Sequence, residues 1–116
     1  MVYSIGCKVV QCVANEELLK ELVRDGRFTV SKHSLPHRLK EGFSAGDMVQ
    51  AVLRGSIIED YPERSRCLFY GQAKISTRTT IDLHGVCDYS DENWADFVTG
   101  YIPDPLEWHS PPTERR

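Results

Sequence analysis

The sequence predicts an α+β domain in which N-terminal helices pack on one face of a C-terminal antiparallel sheet. Three observations carry that expectation. The first half holds apolar stripes at helical spacing, each opened by a capping residue and closed by a glycine. From Cys67 onward the pattern changes to short apolar runs and alternation of the kind strands show. Ser90-Asp-Glu-Asn93 then has the composition of a turn between two such runs. At 116 residues the chain is long enough for one small domain with a modest core.

In chain order, residues 1–27 read as a lead-in. Val2 to Val13 offer a weak strand signal, and Asn15 caps a helix whose first turn holds Glu16 and Glu17. Leu18, Leu19, Leu22 and Val23 form its apolar stripe, and Gly26 stands at the C′ position. Arg27 to Ser31 is a short strand signal. His33-Ser-Leu-Pro-His37-Arg38 follows as the start of a second helix, where Pro36 is tolerated only in the first turn. Ser44 caps a third helix with Asp47 at N3, a stripe of Met48, Val49, Val52 and Leu53, and a stop at Gly55.

Ser56 to Asp60 reads as an apolar strand, and Glu63 to Arg66 as a turn. Strands are expected over Cys67 to Gly71, with Gln72 to Arg78 as a continuation and turn, over Thr79 to Tyr89, and over Trp94 to Ile102, where Ser90 to Val98 alternatively reads as the start of a short helix. In the strand from Thr79 to Tyr89, Ile81 and Leu83 face the core, while Asp82 and His84 face solvent. Pro103-Asp104-Pro105 ends regular structure, one further turn packs Trp108 on the sheet, and 109–116 is expected as a flexible tail. The main α+β unit spans 28–108 within one compact domain.

Composition excludes several classes. With 41% hydrophobic and 27% charged residues the chain is neither disordered nor fibrous. A net charge of −3 does not announce a nucleic-acid binder, yet the charge is uneven. Lys20 to Glu41 carries six basic residues against three acids, and Thr80 to Arg116 eight acids against two arginines. That asymmetry fits a basic face on an acidic body, or simply solvated surface charge. Cys7, Cys12, Cys67 and Cys87 include no C-x-x-C pair, and the last two lie in apolar runs where buried free thiols are usual. With no signal-peptide pattern and no long apolar run, the expected location is the cytoplasm, with no membrane contact.

The candidate chemistry centres on His33, His37 and Arg38. Two imidazoles titrating near neutrality supply an acid and a base, and a guanidinium holds a phosphate and stabilises charge developing on it. Those groups suffice to cut RNA without a metal or cofactor. The alternative is one packed or capping histidine beside a surface arginine. Lys32, Tyr61, Asp60 and Tyr101 complete the set as substrate-binding residues. Tyr61 would stack on a base and Asp60 would orient a histidine, although Asp60-Tyr-Pro62 also reads as a plain turn signal. A metal held by His33 and His37 is a weaker reading, since no further ligand stands at standard spacing.

Several of these pieces occur together in a known family. Ser31-Lys-His33, Gly42, the capped helix Ser44 to Leu53, Gly55-Ser-Ile-Ile-Glu-Asp-Tyr-Pro62 and Tyr101-Ile-Pro-Asp-Pro-Leu-Glu-Trp108 give the chain a pattern that resembles the small bacterial proteins of domain of unknown function 4258 (DUF4258). The resemblance runs from about Phe28 to Trp108. It departs at His37, where the family usually has arginine, with Arg38 one residue later, and at Pro36. The resemblance implies a RelE/ParE-like layout and the toxin of a toxin–antitoxin system, an endoribonuclease acting on mRNA without a metal and opposed by a zinc-finger antitoxin-like partner. The alternative it leaves open is a non-catalytic, toxin-like module that binds a protein.

Overall fold

Asn15 opens the first helix by accepting a hydrogen bond from the Leu18 amide at 3.0 Å, one of the donors that a helix start leaves without an intrahelical partner. The computed structural model describes residues 13–31 and 43–116. Helix α1 spans Glu16–Arg24 and buries Leu19, Leu22 and Val23. Gly26 lies just past its end at φ +75°, the left-handed conformation that glycine adopts without steric penalty. Helix α2, Ala45–Arg54, begins with the expected capping box. Ser44 Oγ accepts from the Asp47 amide, and the Asp47 carboxylate accepts from the Ser44 amide.

Five strands form one sheet: β1 (Phe28–Val30), β2 (Ser56–Tyr61), β3 (Arg66–Lys74), β4 (Thr80–Asp88) and β5 (Ala95–Tyr101). Their spatial order is β1-β5-β4-β3-β2. Strands β2 to β5 make the expected antiparallel meander. The sheet as a whole is nevertheless mixed, which corrects the antiparallel expectation. Strand β1 pairs parallel with β5, Phe28 opposite Ala95 and Val30 opposite Phe97. The meander leaves one edge of β5 open, and β1 closes it while Phe28 sets its ring edge-on to Phe97 at 5.9 Å.

Both helices supply the core on one face. Cys67, Phe69, Ala73, Leu83, Cys87, Ala95 and Phe97 meet Leu19, Leu22, Met48, Ala51 and Val52 there. Helix α2 approaches β3 so closely that a Cβ at Gly71 would stand 1.8 Å from the Ala51 carbonyl oxygen. Residues 13–27 belong to this core and do more than lead into it. The Ala14 amide donates to Asp60, and Glu16 Oε1 accepts from the Ile57 amide on edge strand β2.

The middle of the other face of the sheet is also covered. The strap Pro103–Arg116 turns back across it and buries Trp108 and Pro112. It holds its shape through an isolated bridge between Trp108 and Arg115, with His109 N–H donating to the Glu114 carbonyl and Arg116 N–H to the Glu107 carbonyl. The sequence expectation differs here: 109–116 read as a loose tail, and the structure docks it. The reason is apolar burial by Trp108 and Pro112 together with the hydrogen bonds just named.

Candidate functional site

Alternation along the strands sends Leu68, Tyr70, Asp82, His84 and Tyr101 to the face away from the helices. Their contacts agree with that placement. Tyr70 donates to Asp82 at 2.8 Å, and the His84 ring stands edge-on to Tyr70, Tyr101 and Trp108 at 6.0, 5.4 and 4.3 Å. On β2 a register irregularity between Ile57 and Glu59 sets Glu59 opposite Leu68 and Tyr61 opposite Arg66. Glu59 and Tyr61 therefore join the outer face as well, and the Tyr61 hydroxyl donates to the Glu59 carboxylate.

His84 is the centre of this cluster and is 1% exposed. The expectation of a solvent-facing His84 is thus corrected. The alternation was read properly, but the outward face is roofed by the strap. One ring nitrogen, Nε2, lies 2.6 Å from the Pro112 carbonyl oxygen. A carbonyl only accepts, so Nε2 carries the proton. In the neutral ring Nδ1 is then an acceptor and receives the Tyr101 hydroxyl at 3.4 Å. Burial pushes the imidazole below its usual range, more strongly than its hydrogen bond to Pro112 and the carboxylates of Glu59 and Asp82 raise it.

Arg115 closes the cluster from the strap. Its Nε and Nη2 donate to the two oxygens of Glu59 at 3.0 and 3.2 Å, and its guanidinium lies 4.6 Å from the centre of the Trp108 ring. The Arg115 hydrogen bonds hold the Glu59 carboxyl below its ordinary range. Burial raises Tyr61 and Tyr101, and burial with the Asp82 hydrogen bond carries Tyr70 up to about 12. At neutral pH the cluster therefore holds protonated tyrosines, a neutral imidazole and a matched ion pair.

The sequence-derived site residues divide between the two faces. Tyr61 and Tyr101 share the outer face, both close to Glu59 and Arg115. Asp60 lies on the helix side, where its carboxylate accepts from the Ala14 amide at 3.0 Å and the Tyr89 hydroxyl at 2.7 Å. It ties the start of α1 to the end of β4. His33, His37, Arg38 and Lys32 lie outside the described residues. The residues flanking them are placed. The Ser31 amide donates to the Phe97 carbonyl at 2.8 Å, and Phe43 is buried directly before α2.

A second concavity, of about 370 Å³, opens beside α1. Leu18, Leu22, Cys87 and Trp94 line it, with Asp91 and Glu92 also on its wall. Among the described residues no group of three or more His, Cys, Asp or Glu side chains could hold a metal ion. No helix of those residues is long and apolar enough to cross a membrane.

Sequence reasoning missed Glu59 and Arg115, and placed His84 on the right face but as solvent-exposed. The signal available was Trp108 together with Pro111-Pro112, an apolar group large enough to cover a sheet face. No protein-family model matches the chain, and no curated protein or solved structure matches it either.

Proposed function

We propose that this protein is the toxin of a toxin–antitoxin pair, RelE/ParE-like in layout, and that it cleaves RNA without a metal. In this reading His33 and His37 act as base and acid, and Arg38 holds the scissile phosphate. The base takes the 2′-hydroxyl proton, the 2′-oxygen attacks phosphorus, and the departing 5′-oxygen is protonated by the acid. The products are a 2′,3′-cyclic phosphate and a 5′-hydroxyl. Lys32 adds a phosphate contact, and Tyr61 and Tyr101 are the base-stacking candidates. Asp60 drops out of this set, because its carboxylate is committed to Ala14 and Tyr89.

The observation that carries the reading is the histidine–arginine cluster within a DUF4258-like pattern, in a chain whose two described helices cover one face of a strand meander. Its test is cleavage of a single-stranded RNA in EDTA by the wild type, H33A and R38A. A wild type that cuts, with losses of about 10²-fold or more in both variants, supports it. A substrate carrying a 2′-deoxy sugar at the cut site must resist.

A second reading is a non-catalytic module that binds a protein partner. The acidic excess from Thr80 to Arg116 favours it. So does the groove beside α1, where Trp94 is half-exposed and Asp91 and Glu92 stand next to apolar side chains. Absence of cleavage by wild type and both variants alike selects this second reading.

A further inference from the structure

We propose that the strap Pro103–Arg116 is an acid-released cover over the outer face of the sheet, with His84 as its pin. This inference concerns the cover itself and does not depend on which substrate or partner the protein has.

The geometry points to a cover because the strap is attached to the sheet through few groups, and one of them can change charge near neutrality. Trp108 supplies the apolar seal at 2% exposure. Arg115 reaches Glu59 from a partly exposed position. Between them the Pro112 carbonyl accepts from His84, a side chain of β4 that no solvent reaches while the strap is down. The groups facing that imidazole are Glu59 and Tyr61 from β2, Tyr70 from β3, Asp82 from β4, Tyr101 from β5 and Arg115 from the strap.

A second proton on the ring has no good place in this arrangement. Nδ1 faces the Tyr101 hydroxyl, which must turn its own proton away to accept one. The added charge would sit without water against Trp108, and that burial, with Arg115 opposing the charge, outweighs the attraction of Glu59 and Asp82. Lifting the strap returns His84 to water, where it takes the proton at its ordinary pKa near 6.5. Protonation therefore favours the lifted form, by up to about 30-fold at pH 5 relative to pH 7.5. Glu59 does not share the transition, because Arg115 keeps it charged below the usual carboxylate range. The tyrosines stay protonated throughout. Lifting uncovers Leu68, Tyr70, His84 and Tyr101 on one surface.

Trp94 and Trp108 are the two tryptophans, so W94F leaves Trp108 as the single reporter. On lowering the pH from 7.5 to 5, quenching of Trp108 by acrylamide should rise several-fold, with far-UV circular dichroism unchanged. Adding H84Q should flatten that response, since the glutamine amide donates to Pro112 but does not titrate. A flat response in W94F alone overturns the proposal, as does an identical transition in W94F/H84Q. Loss of secondary structure in step with Trp108 exposure overturns it too, because the event is then global unfolding. Should H84Q fail to fold, proton NMR of the wild type decides. The His84 ring shift and the exchange rate of the Trp108 indole N–H must titrate with one midpoint, and separate midpoints refute the coupling.

Discussion

His84 joins the strap to the outer face of the sheet. Its two ring nitrogens serve two elements at once, Pro112 of the strap and Tyr101 of β5. H84A strands the Pro112 carbonyl and the Tyr101 hydroxyl and opens a void beside Trp108. It should cost about 2–4 kcal/mol by urea unfolding at pH 7.5. The pH dependence has a definite sign. A histidine whose folded pKa is depressed leaves the unfolded chain binding more protons below pH 6.5. Stability should then fall as pH drops through that value, by at most about 1.4 kcal/mol per pH unit from this group, and level off beneath the folded pKa. Unfolding curves of wild type and H84Q at pH 7.5 and 5.5 check this, and H84Q should show the smaller change. Gly71 gives a second residue-scale expectation. In G71A the new Cβ meets the Ala51 carbonyl, a backbone atom that moves only if α2 moves. A loss of about 2 kcal/mol or more is expected, visible as a lower thermal midpoint.

The elements follow their local signals closely. Both described helices start at the side chains that satisfy their first amides, Asn15 and Ser44, and their buried stripes overlap the apolar spacing read from the sequence. Ala51 is the exception: it is buried at the approach to Gly71, while Val49 and Leu53 are only partly covered. S44A should cost about 1 kcal/mol, with D47A giving a similar loss and the double variant less than the sum, because each side chain answers the other's backbone. Strands β2 to β5 were legible as strands too, β4 from its alternation and the others from apolar runs between turn residues, although β5 also read as the start of a short helix and β3 runs on to Lys74, past the apolar run that ended at Gly71. Strand β1 was legible only as a strand. Its parallel partner β5 lies more than 60 residues away, and three residues carry no information on pairing. The strap is the opposite case: its prolines suggested irregular structure, and its docking depends on Trp108 finding the sheet.

At the scale of the whole molecule, the described part of the sheet is covered on one face by the two described helices and over part of the other, around Leu68 and His84, by a strap without regular helix. Cys67 and Cys87 sit opposite each other on β3 and β4 inside the helix-side core. The hydrogen bond between the thiols and burial push Cys87 far above its ordinary range, so it is not a thiolate at neutral pH. Thiol-reagent labelling followed by peptide mapping should find both unmodified in native protein. They should react only at the rate of global unfolding, whereas labelling at the rate of strap opening would place them on the wrong face. Such resistance is what burial in the helix-side core produces.

The candidate site was legible only in part. Tyr61 and Tyr101 emerged from the sequence as neighbours of a rim, and the sheet register does bring them to one face. Asp60, adjacent to Tyr61, goes to the other face because successive strand residues alternate. Glu59 and Arg115 are 56 residues apart and meet through the return of the strap. By itself, the sequence determined the caps, the apolar stripes, the meander and the histidine–arginine cluster, because those depend on residues within a few positions of one another. Tertiary structure alone decided that β1 closes the sheet beside β5, that the strap covers the outer face, and that His84 is buried. Each of those outcomes rests on apolar area and hydrogen bonds shared by segments far apart in the chain, which no local pattern encodes.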